Sequence, residues 1–332
     1  MDLAHKVAFL RRPETYPATV ERVEAIETHM SWVFIAGNDV YKLKKPVRYS
    51  YLDFRTLDAR HQDCLEEVRL NRRLADGVYL GTLPITADSG GEISIDGKGR
   101  IVDWVVHMRR LPRERMLDRR IRSGDLDANE LRPAADRLAH FYRQLSPVEI
   151  TPEEYRRRFA DDIDENRREL TDPDFALPAT PVEMVCDAHE QFRQQNATEL
   201  DRRVADGRII EGHGDLRPQH VCLTDPPVVI DCLEFNRGFR ILDAVDELAY
   251  LAVECERLGA AWAGVELLNI YSATTGDQPA PKLIHFYSSF RATLRAKIAI
   301  WHNRDDSVSD PDKWVQRAKQ YLALAEHHAK RF

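Results

Sequence analysis

Residues 213–220 have the sequence His-Gly-Asp-Leu-Arg-Pro-Gln-His, which places an aspartate between two histidines in a segment that also contains Gly and Pro. Downstream, a short β-like run ends at Asp231. Transfer of a phosphoryl group to an alcohol needs a carboxylate that takes the hydroxyl proton, and oxygen or nitrogen ligands that hold magnesium on the triphosphate. Asp215 is therefore the candidate catalytic base, and Asp231 is the candidate magnesium ligand.

The chain uses arginine for most of its positive charges, but three lysines lie together at positions 42, 44 and 45. Only ten of its 48 basic residues are lysine, and Lys98 is the sole lysine between Lys45 and Lys282. Such a cluster suggests a place where a compact ammonium is wanted rather than a planar guanidinium. Lys42 and Lys44 would point to the same side of one strand, so periodicity does not separate them.

A single His-Gly-Asp run has two other interpretations. It more often caps a helix or shapes a turn than catalyses a reaction. His213, Asp215 and His220 could also bind a transition metal in a hydrolase. We prefer the phosphoryl-transfer interpretation because it also gives roles to the lysine cluster, to a glutamate on the following helix and to Asp231.

The N-terminal third is predicted to contain short strands around one helix. Residues 32–35 and 40–44 flank a Gly-Asn-Asp turn that tolerates positive φ, which predicts a β-hairpin. Residues 56–75 contain no Gly or Pro, and Glu67 shares a helical face with Leu70 and Leu74 there. A second hairpin is predicted from 93–95 and 101–106 around a turn at 96–99, ending at Leu111-Pro112.

Beyond Pro112 the pattern is largely helical. Helices are predicted near 128–145, 152–170 and 181–205 and from about 243 to 329, with a proline-rich loop at 171–181. A short embedded β-hairpin is predicted from 208–212 and 228–231. The fold class is therefore α+β, with a small strand-rich lobe at 1–111 and a larger helical lobe at 112–332.

Several segments together resemble a known family. His213-Gly214-Asp215-Leu216 with Pro218, then Ile230-Asp231 and the acids ahead of Glu247, resemble the catalytic segment of the aminoglycoside phosphotransferase and choline kinase group, which has a bilobal protein-kinase-like fold. Segments 40–46, 51–54, 71–74 and 230–235 resemble more closely a bacterial subfamily that is often fused to a P-loop ATPase domain. No G-x-x-x-x-G-K-[ST] motif occurs in this sequence, so a separate P-loop ATPase is a predicted partner.

This resemblance implies that ATP binds between the lobes with magnesium, that Asp215 is the base and that Asp231 binds the metal. It also implies a lysine on the third strand that contacts phosphate and is held by a helix glutamate. Lys42 is preferred over Lys44 because Val40 could form a roof over adenine, although the choice stays open. Glu67 is preferred over Glu66 because it lies on the face of Leu70 and Leu74.

The resemblance further places an interlobe hinge at 106–111, where backbone groups around Met108 and Arg110 would bind adenine. It also implies that the segment 150–205, which forms part of the acceptor site in this fold group, shapes acceptor specificity. That segment contains Asp161, Asp162, Asp164 and Glu165, which suit an amine-bearing sugar or equally a solvated helix.

The sequence departs from the family pattern at position 220, where related kinases have a metal-binding asparagine five residues after the catalytic aspartate. His220 could ligate the metal, or it could contact phosphate, or Glu234 could supply the missing oxygen. The segment 27–31 also has no glycine-rich run ahead of the first clear strand. These departures keep a second class open, a nucleotide-binding pseudokinase without phosphoryl transfer.

Other charged residues receive structural interpretations. Arg291, Arg295 and Lys297 are predicted to form a solvated helix face. Asp243 is predicted to start a helix, where a carboxylate favours the positive end of the dipole, and Asp246 to anchor the catalytic loop.

Composition excludes several classes. The net charge of −7, with acids and bases intermixed, leaves no basic face for nucleic acid. Neither a membrane-spanning run nor a signal peptide is recognisable, so we expect a cytoplasmic protein that does not bind membranes. Five scattered cysteines predict reduced, buried thiols rather than disulfides or a zinc site. The predicted function is an ATP- and magnesium-dependent small-molecule kinase.

Overall fold

A computed structural model of the 332-residue chain describes residues 1–49, 51–304 and 310–332. The chain forms two compact units. The first contains Met1–Arg115 and Val228–Phe239, and the second contains Met116–Pro227 and Arg240–Phe332. The predicted division places all of 112–332 in one lobe, whereas in the structure 228–239 belongs with the N-terminal segment.

The described strands are between two and ten residues long. In chain order they are β1 (Val23–Glu27), β2 (Ser31–Ala36), β3 (Asp39–Lys44), β4 (Arg48–Tyr49), β5 (Leu52–Asp53), β6 (Tyr79–Ala87), β7 (Ile93–Ile95), β8 (Arg100–Arg109), β9 (Ile209–Glu211), β10 (Val221–Cys222), β11 (Val228–Val229) and β12 (Ile241–Asp243).

Helices dominate the second unit, and the first two α-helices of the chain lie in the first unit. In chain order they are α1 (Leu3–Leu10), α2 (Leu57–Asn71), α3 (Leu117–Ser123), α4 (Ala128–Gln144), α5 (Pro152–Leu170), α6 (Ala179–Gln195), α7 (Ala197–Ala205), α8 (Ala244–Arg257), α9 (Ala261–Thr275), α10 (Pro281–Trp301) and α11 (Pro311–Ala329). The predicted helical span 243–329 includes 305–309, which lie outside the described residues.

The first unit is built on a six-stranded antiparallel sheet in the order β1-β2-β3-β8-β6-β7. The predicted hairpin of β2 and β3 is confirmed, with Val33 opposite Lys42 and Gly37 at φ 63° in the turn. Helix α2 begins where the Thr56 hydroxyl caps the Ala59 N–H, and it packs on β8 and β6. This sheet and helix therefore position the lysine cluster and Glu67.

Two predicted strand pairings are wrong. Strand β7 pairs with β6 and not with β8, because the unpredicted strand β6 lies between them and pairs with both. Strand β9 pairs with β12 and not with 228–231. The predicted single helix at 181–205 is also divided at Asn196, which has the non-helical angles φ −114° and ψ 27°.

Each unit has its own apolar core. In the first, Phe34, Leu43, Ile85 and Val105 are fully buried on the sheet and pack with Leu10 of α1. In the second, α10 packs against α8 and α11, and α5 packs against α6 and α7. All five cysteines are buried thiols, as predicted.

The predicted solvated basic face on α10 is wrong. Arg291 and Lys297 are buried, and Arg295 is nearly so. Arg291 forms a bidentate pair with Asp246 at 2.6 and 2.5 Å, Arg295 donates to Glu254 at 2.8 Å, and Lys297 pairs with Glu165. The charges are internal because each one meets a carboxylate from another helix. Among the described helices, none has the length and apolar content needed to cross a bilayer.

Candidate active site

Lys42 lies at the centre of an ion cluster in the first unit. Its Nζ is 2.8 Å from Glu67 Oε1 and 3.0 Å from Asp231 Oδ1. Strand β3 supplies the lysine, α2 supplies the buried glutamate, and the loop after β11 supplies the aspartate. The structure thus brings together three residues that the sequence singled out separately.

Lys44 is surrounded by three carboxylates. Its Nζ is 2.8 Å from Asp63 Oδ2 and 2.6 Å from Glu67 Oε2, and it donates a short hydrogen bond to Glu234. The Lys44 side chain is 2% exposed, whereas that of Lys42 is 14% exposed. The two lysines share a strand face, as predicted, but only Lys42 reaches solvent to an appreciable extent.

Burial and charge act in opposite directions on these lysines. Burial by itself would lower the pKa of Lys42, but the carboxylates of Asp231 and Glu67 outweigh it and raise that pKa well above its usual range. The pKa of Lys44 is likewise raised, against burial, chiefly by Glu234 and Glu67. Both ammonium groups therefore stay charged at physiological pH.

The loop that carries Asp231 is held in place because its backbone N–H groups donate hydrogen bonds to side chains of α2 and β6. Asp231 has a left-handed φ of 62°, and its N–H donates to the Tyr79 hydroxyl at 3.1 Å. The next N–H, of Cys232, donates to Asn71 Oδ1 at 2.9 Å, and Asn71 Nδ2 donates to the Glu67 carbonyl at 2.9 Å. These bonds maintain an unfavourable backbone conformation that turns the Asp231 side chain toward Lys42, and that side chain is 44% exposed.

The predicted hinge coincides with the end of strand β8. Met108 lies opposite Val40 and Tyr79 in the sheet. The Arg110 N–H donates to the Asn38 carbonyl at 2.8 Å, and the Arg109 N–H donates to the Val78 carbonyl at 2.9 Å. These two backbone donors are used within the sheet, and adenine binding at 106–111 stays a prediction.

Asp215 lies in the second unit, and both of its carboxylate oxygens accept hydrogen bonds. Arg217 Nη2 donates to Oδ2 at 2.7 Å, and the Tyr250 hydroxyl donates to Oδ1 at 3.1 Å. The Asp215 side chain is 25% exposed. Burial would lower the pKa of Arg217, but Asp215 raises it, so the pair is an ionic one. The carboxylate is thereby oriented while part of it remains accessible.

Both histidines of the segment contact its backbone. His213 is buried, and its Nδ1 accepts the Asp215 N–H at 3.3 Å. His220 Nδ1 lies 2.8 Å from the Asp215 carbonyl, and its Nε2 lies 3.1 Å from Arg217 Nη2. A histidine that donates from Nδ1 and accepts at Nε2 satisfies both contacts. Position 220 therefore fixes the loop around Asp215.

Glu247, and not Asp246 as predicted, anchors the loop that contains Asp215. Its carboxylate accepts the N–H groups of His213 at 2.9 Å and Gly214 at 2.5 Å, whereas Asp246 pairs with Arg291. A Cβ at position 212 would lie 2.6 Å from Glu247 Oε2, which explains the glycine there. Asp243 caps α8 by accepting the Val245 N–H, as predicted.

Magnesium fits the first cluster by charge and ligand type. Four carboxylates, those of Asp63, Glu67, Asp231 and Glu234, face the two ammonium groups, so the ionised cluster has two negative charges in excess. Magnesium in phosphate-transfer sites usually takes one or two carboxylates together with phosphate oxygens and water. Within the described ranges no three His, Cys, Asp or Glu side chains form a group that could hold a metal by themselves.

Several residues of these clusters were not singled out from the sequence. They are Asp63, Asn71, Tyr79, Arg217, Glu247 and Tyr250. Asn71 and Arg217 lie inside segments that carry the family resemblance, so their position within a motif could have identified them as candidate site residues. Asp63 precedes Glu67 by one helical turn, and this spacing places both carboxylates on one face of the helix, which could have identified Asp63 as well. Tyr79 and Tyr250 carried no such signal, since their partners are distant in sequence.

The chain has the protein-kinase-like fold of choline/ethanolamine kinases and aminoglycoside phosphotransferases, which confirms the predicted fold class and kinase-like resemblance. A choline/ethanolamine kinase family protein from Mesorhizobium loti superposes with a TM-score of 0.54 at 17% identity, covering 98% of this chain and 100% of that one. Choline kinase from Cryptosporidium parvum superposes with a TM-score of 0.56 at 12% identity, covering 99% of this chain and 96% of that one. Aminoglycoside 2'-phosphotransferase-IIIa, solved as its GDP complex, superposes with a TM-score of 0.53 at 15% identity, covering 98% of this chain and 99% of that one.

Similarity in sequence points to two mycobacterial proteins. Uncharacterised proteins of Mycobacterium tuberculosis and Mycobacterium bovis are each 30% identical over 322 residues, covering 94% of this chain and 62% of the relative. The chain therefore spans less than two thirds of the length of the curated relatives it matches. No protein-family model matches the chain.

Proposed function

We propose that the protein transfers the γ-phosphoryl group of ATP to a hydroxyl of a small molecule, with Asp215 as catalytic base. The observation that carries the proposal is the contact of Lys42 with both Glu67 at 2.8 Å and Asp231 at 3.0 Å. Phosphoryl transfer requires a charged lysine, a carboxylate that orients it and an acid that holds metal. Within the first unit these three residues supply that set.

In the proposal, Lys42 binds the α- and β-phosphates while Glu67 keeps its ammonium oriented. Asp231 holds magnesium, since its side chain is 44% exposed and supplies a hard oxygen ligand. Magnesium, when bound, would offset negative charge on the phosphates. His220 and Glu234, the other predicted metal ligands, have protein partners in Arg217 and Lys44 respectively.

Asp215 acts on the acceptor. Arg217 and Tyr250 each bind one carboxylate oxygen and fix the plane of the group. Carboxylate oxygens have further lone pairs, so Asp215 can still accept a hydrogen bond from the acceptor hydroxyl and then its proton. Positioning of this kind supplies much of the rate in phosphoryl transfer, because the attacking oxygen must lie in line with the leaving group.

Solved proteins with this fold suggest the acceptors to test. They include choline, ethanolamine and glucosamine kinases, and an aminoglycoside phosphotransferase in complex with AMP-PNP and hygromycin B. We therefore propose a sugar, an aminoglycoside or an amino alcohol as the acceptor. A P-loop ATPase as partner and a cytoplasmic location stay predictions.

The test measures ATP consumption with magnesium against a panel of these three acceptor classes. Asp215→Asn should abolish acceptor-dependent turnover while its circular dichroism and nucleotide affinity stay near the wild-type values. Asp206→Asn, at an exposed aspartate of the same unit, is the matched control and should retain turnover. Unchanged turnover in Asp215→Asn would sink the proposal, and tight ATP binding with no turnover on any acceptor would favour the pseudokinase.

A further inference from the structure

The second lysine of strand β3 has no evident role in a nucleotide site. Lys44 is 2% exposed at its side chain, so it is not available to a phosphate from solvent. Its ammonium instead forms ion pairs with Asp63 and Glu67 on α2, and it donates a hydrogen bond to Glu234 on the loop after β11. Lys44 therefore connects the strand, the helix and the loop that carries Asp231.

The two lysines hold opposite ends of the same short segment. Lys42 contacts Asp231, and Lys44 contacts Glu234 three residues later. Under the proposed function, Lys42 exchanges part of its carboxylate contacts for phosphate when nucleotide binds. Lys44 is not reached by phosphate, so its contact with Glu234 persists through that exchange.

We propose that Lys44 and Glu234 form a permanent tether that positions Asp231, with Glu234 acting as a positioning residue rather than as a metal ligand. The functional part of this inference rests on the proposed role of Asp231 in binding magnesium. The tether itself rests only on contacts within the first unit. It adds an ionic attachment to the hydrogen bonds that the backbone N–H groups of Asp231 and Cys232 donate to Tyr79 and Asn71.

The chemistry of lysine suits this position. Three carboxylates approach one ammonium from α2 and from the loop, and an ammonium has three donors on a small, rotatable head. A guanidinium presents its donors in one plane and is larger. This explains why an arginine-rich chain has a second lysine two residues after Lys42.

The first experiment follows hydrogen exchange of residues 231–235 in the full chain without metal or nucleotide. Glu234→Gln removes the charge of the loop residue and leaves Lys44 paired with Asp63 and Glu67. We expect exchange in this segment to become at least tenfold faster, with the rest of the sheet unchanged. Glu66→Gln is the matched control, since Glu66 pairs with Arg69 on the outer face of α2, away from Lys44.

This experiment separates the tether from a metal-ligand role. If Glu234 serves only as a metal ligand, its substitution leaves exchange of 231–235 unchanged in the absence of metal, and the inference is overturned. Lys44→Gln is the reciprocal variant, because it removes the charge of Lys44 and, unlike Lys44→Met, keeps an amide donor for the surrounding carboxylates. The double variant with Glu234→Gln should exchange no faster than Lys44→Gln, whereas additive effects would contradict a direct pair.

The second experiment measures nucleotide affinity by calorimetry with and without magnesium. We expect Glu234→Gln to weaken magnesium-dependent binding of ATP about tenfold, as is common when residues that orient a ligand are changed. Metal-free ATP binding should stay unchanged. Equal loss in both conditions would overturn the positioning role. Failure of the wild-type protein to bind ATP would instead refute the proposed function, and the exchange experiment would still decide the tether.

Discussion

The buried carboxylate of Glu247 accepts the backbone N–H of His213 at 2.9 Å, although the two residues are 34 positions apart. The same carboxylate accepts the Gly214 N–H at 2.5 Å and the Tyr142 hydroxyl at 2.8 Å. A single side chain on α8 thus fixes the backbone that immediately precedes Asp215. Two charge-assisted hydrogen bonds of this kind are among the stronger contacts that hold a loop.

Glu247→Gln should weaken this anchor. The amide oxygen can replace Oε1, which accepts both N–H groups, but the negative charge that strengthens these hydrogen bonds is lost. The amide nitrogen then replaces Oε2, where it faces the His213 N–H and no longer accepts the Tyr142 hydroxyl. We expect the free energy of unfolding to fall by about 1–3 kcal/mol, measured by urea denaturation, with a loss of turnover on any acceptor found for the wild type. Glu266→Gln, which removes a peripheral pair with Arg132, is the control and should change stability by less than about 1 kcal/mol.

Lys42→Met should disable nucleotide use without unfolding the first unit. Glu67 keeps its contact with Lys44, and Asp231 is 44% exposed and can be solvated. Removal of a positioned charge from a reaction centre typically lowers turnover by about 10²–10³, which we expect in kcat/KM for ATP. Lys45→Met tests the neighbouring lysine, whose partner Glu27 is exposed. Equal loss in both variants would contradict a specific role for Lys42.

Arg203→Met should strongly destabilise the second unit. Its buried guanidinium makes bidentate contacts with Asp243 at 2.6 and 2.8 Å and with Asp277 at 2.6 and 2.6 Å. Without it, the buried carboxylate of Asp243 loses its bidentate counter-charge and Asp277 keeps Arg208 Nε at 3.8 Å, and breaking a buried pair of this kind costs about 3–5 kcal/mol. Arg202→Met, at the adjacent exposed position that pairs with Glu199, should cost less than about 1 kcal/mol. Comparable losses in the two unfolding curves would refute the internal role of Arg203.

His189 should make stability depend on pH. Its ring is buried with Nε2 2.8 Å from Ser289 Oγ, and burial lowers the pKa of His189 to about 3. An unfolded histidine binds a proton below about pH 6.5, and the folded one does not until about pH 3. Stability due to this residue is therefore complete above pH 6.5 and falls by up to about 1.4 kcal/mol per unit below it.

His189→Gln should remove this contribution. Between pH 7 and pH 5 the wild type should lose roughly 2 kcal/mol more than the variant in urea unfolding. The same substitution at exposed His140 serves as control and should change stability by less than about 0.5 kcal/mol. Parallel pH profiles for the wild type and His189→Gln would show that the buried ring does not behave as a neutral group.

Local sequence patterns predicted much of the secondary structure of this protein and the buried face of α2. The runs 32–35 and 40–44 around the Gly-Asn-Asp turn predicted the β2–β3 hairpin, because a hairpin brings together residues that are close in sequence. Helical periodicity distinguished Glu67 from Glu66, since Glu67 lies on the apolar face and is buried while Glu66 pairs with Arg69 outside. Periods of 2 and 3.6 residues carry this information without reference to the rest of the chain.

Distant pairings were mispredicted. Strand β7 was assigned to the wrong neighbour because the sequence does not specify which strands are adjacent across a sheet. Arg291, Arg295 and Lys297 were interpreted as a solvated face because charged side chains are usually exposed. Their carboxylate partners are 45, 41 and 132 residues away in sequence, and burial of such charges is permitted only once those partners are in place.

The sequence by itself determined the fold class, most helices and the identity of the acids and lysines that could take part in binding or catalysis. Only the tertiary structure decided which of these residues meet. Lys42 and Lys44 have the same residue type and strand face, so their separation into an accessible lysine beside Asp231 and a buried lysine beside Glu234 depends on where α2 and the loop after β11 pack. The physical reason is that secondary structure follows from short-range periodicity, whereas the partners of a buried charge follow from long-range packing.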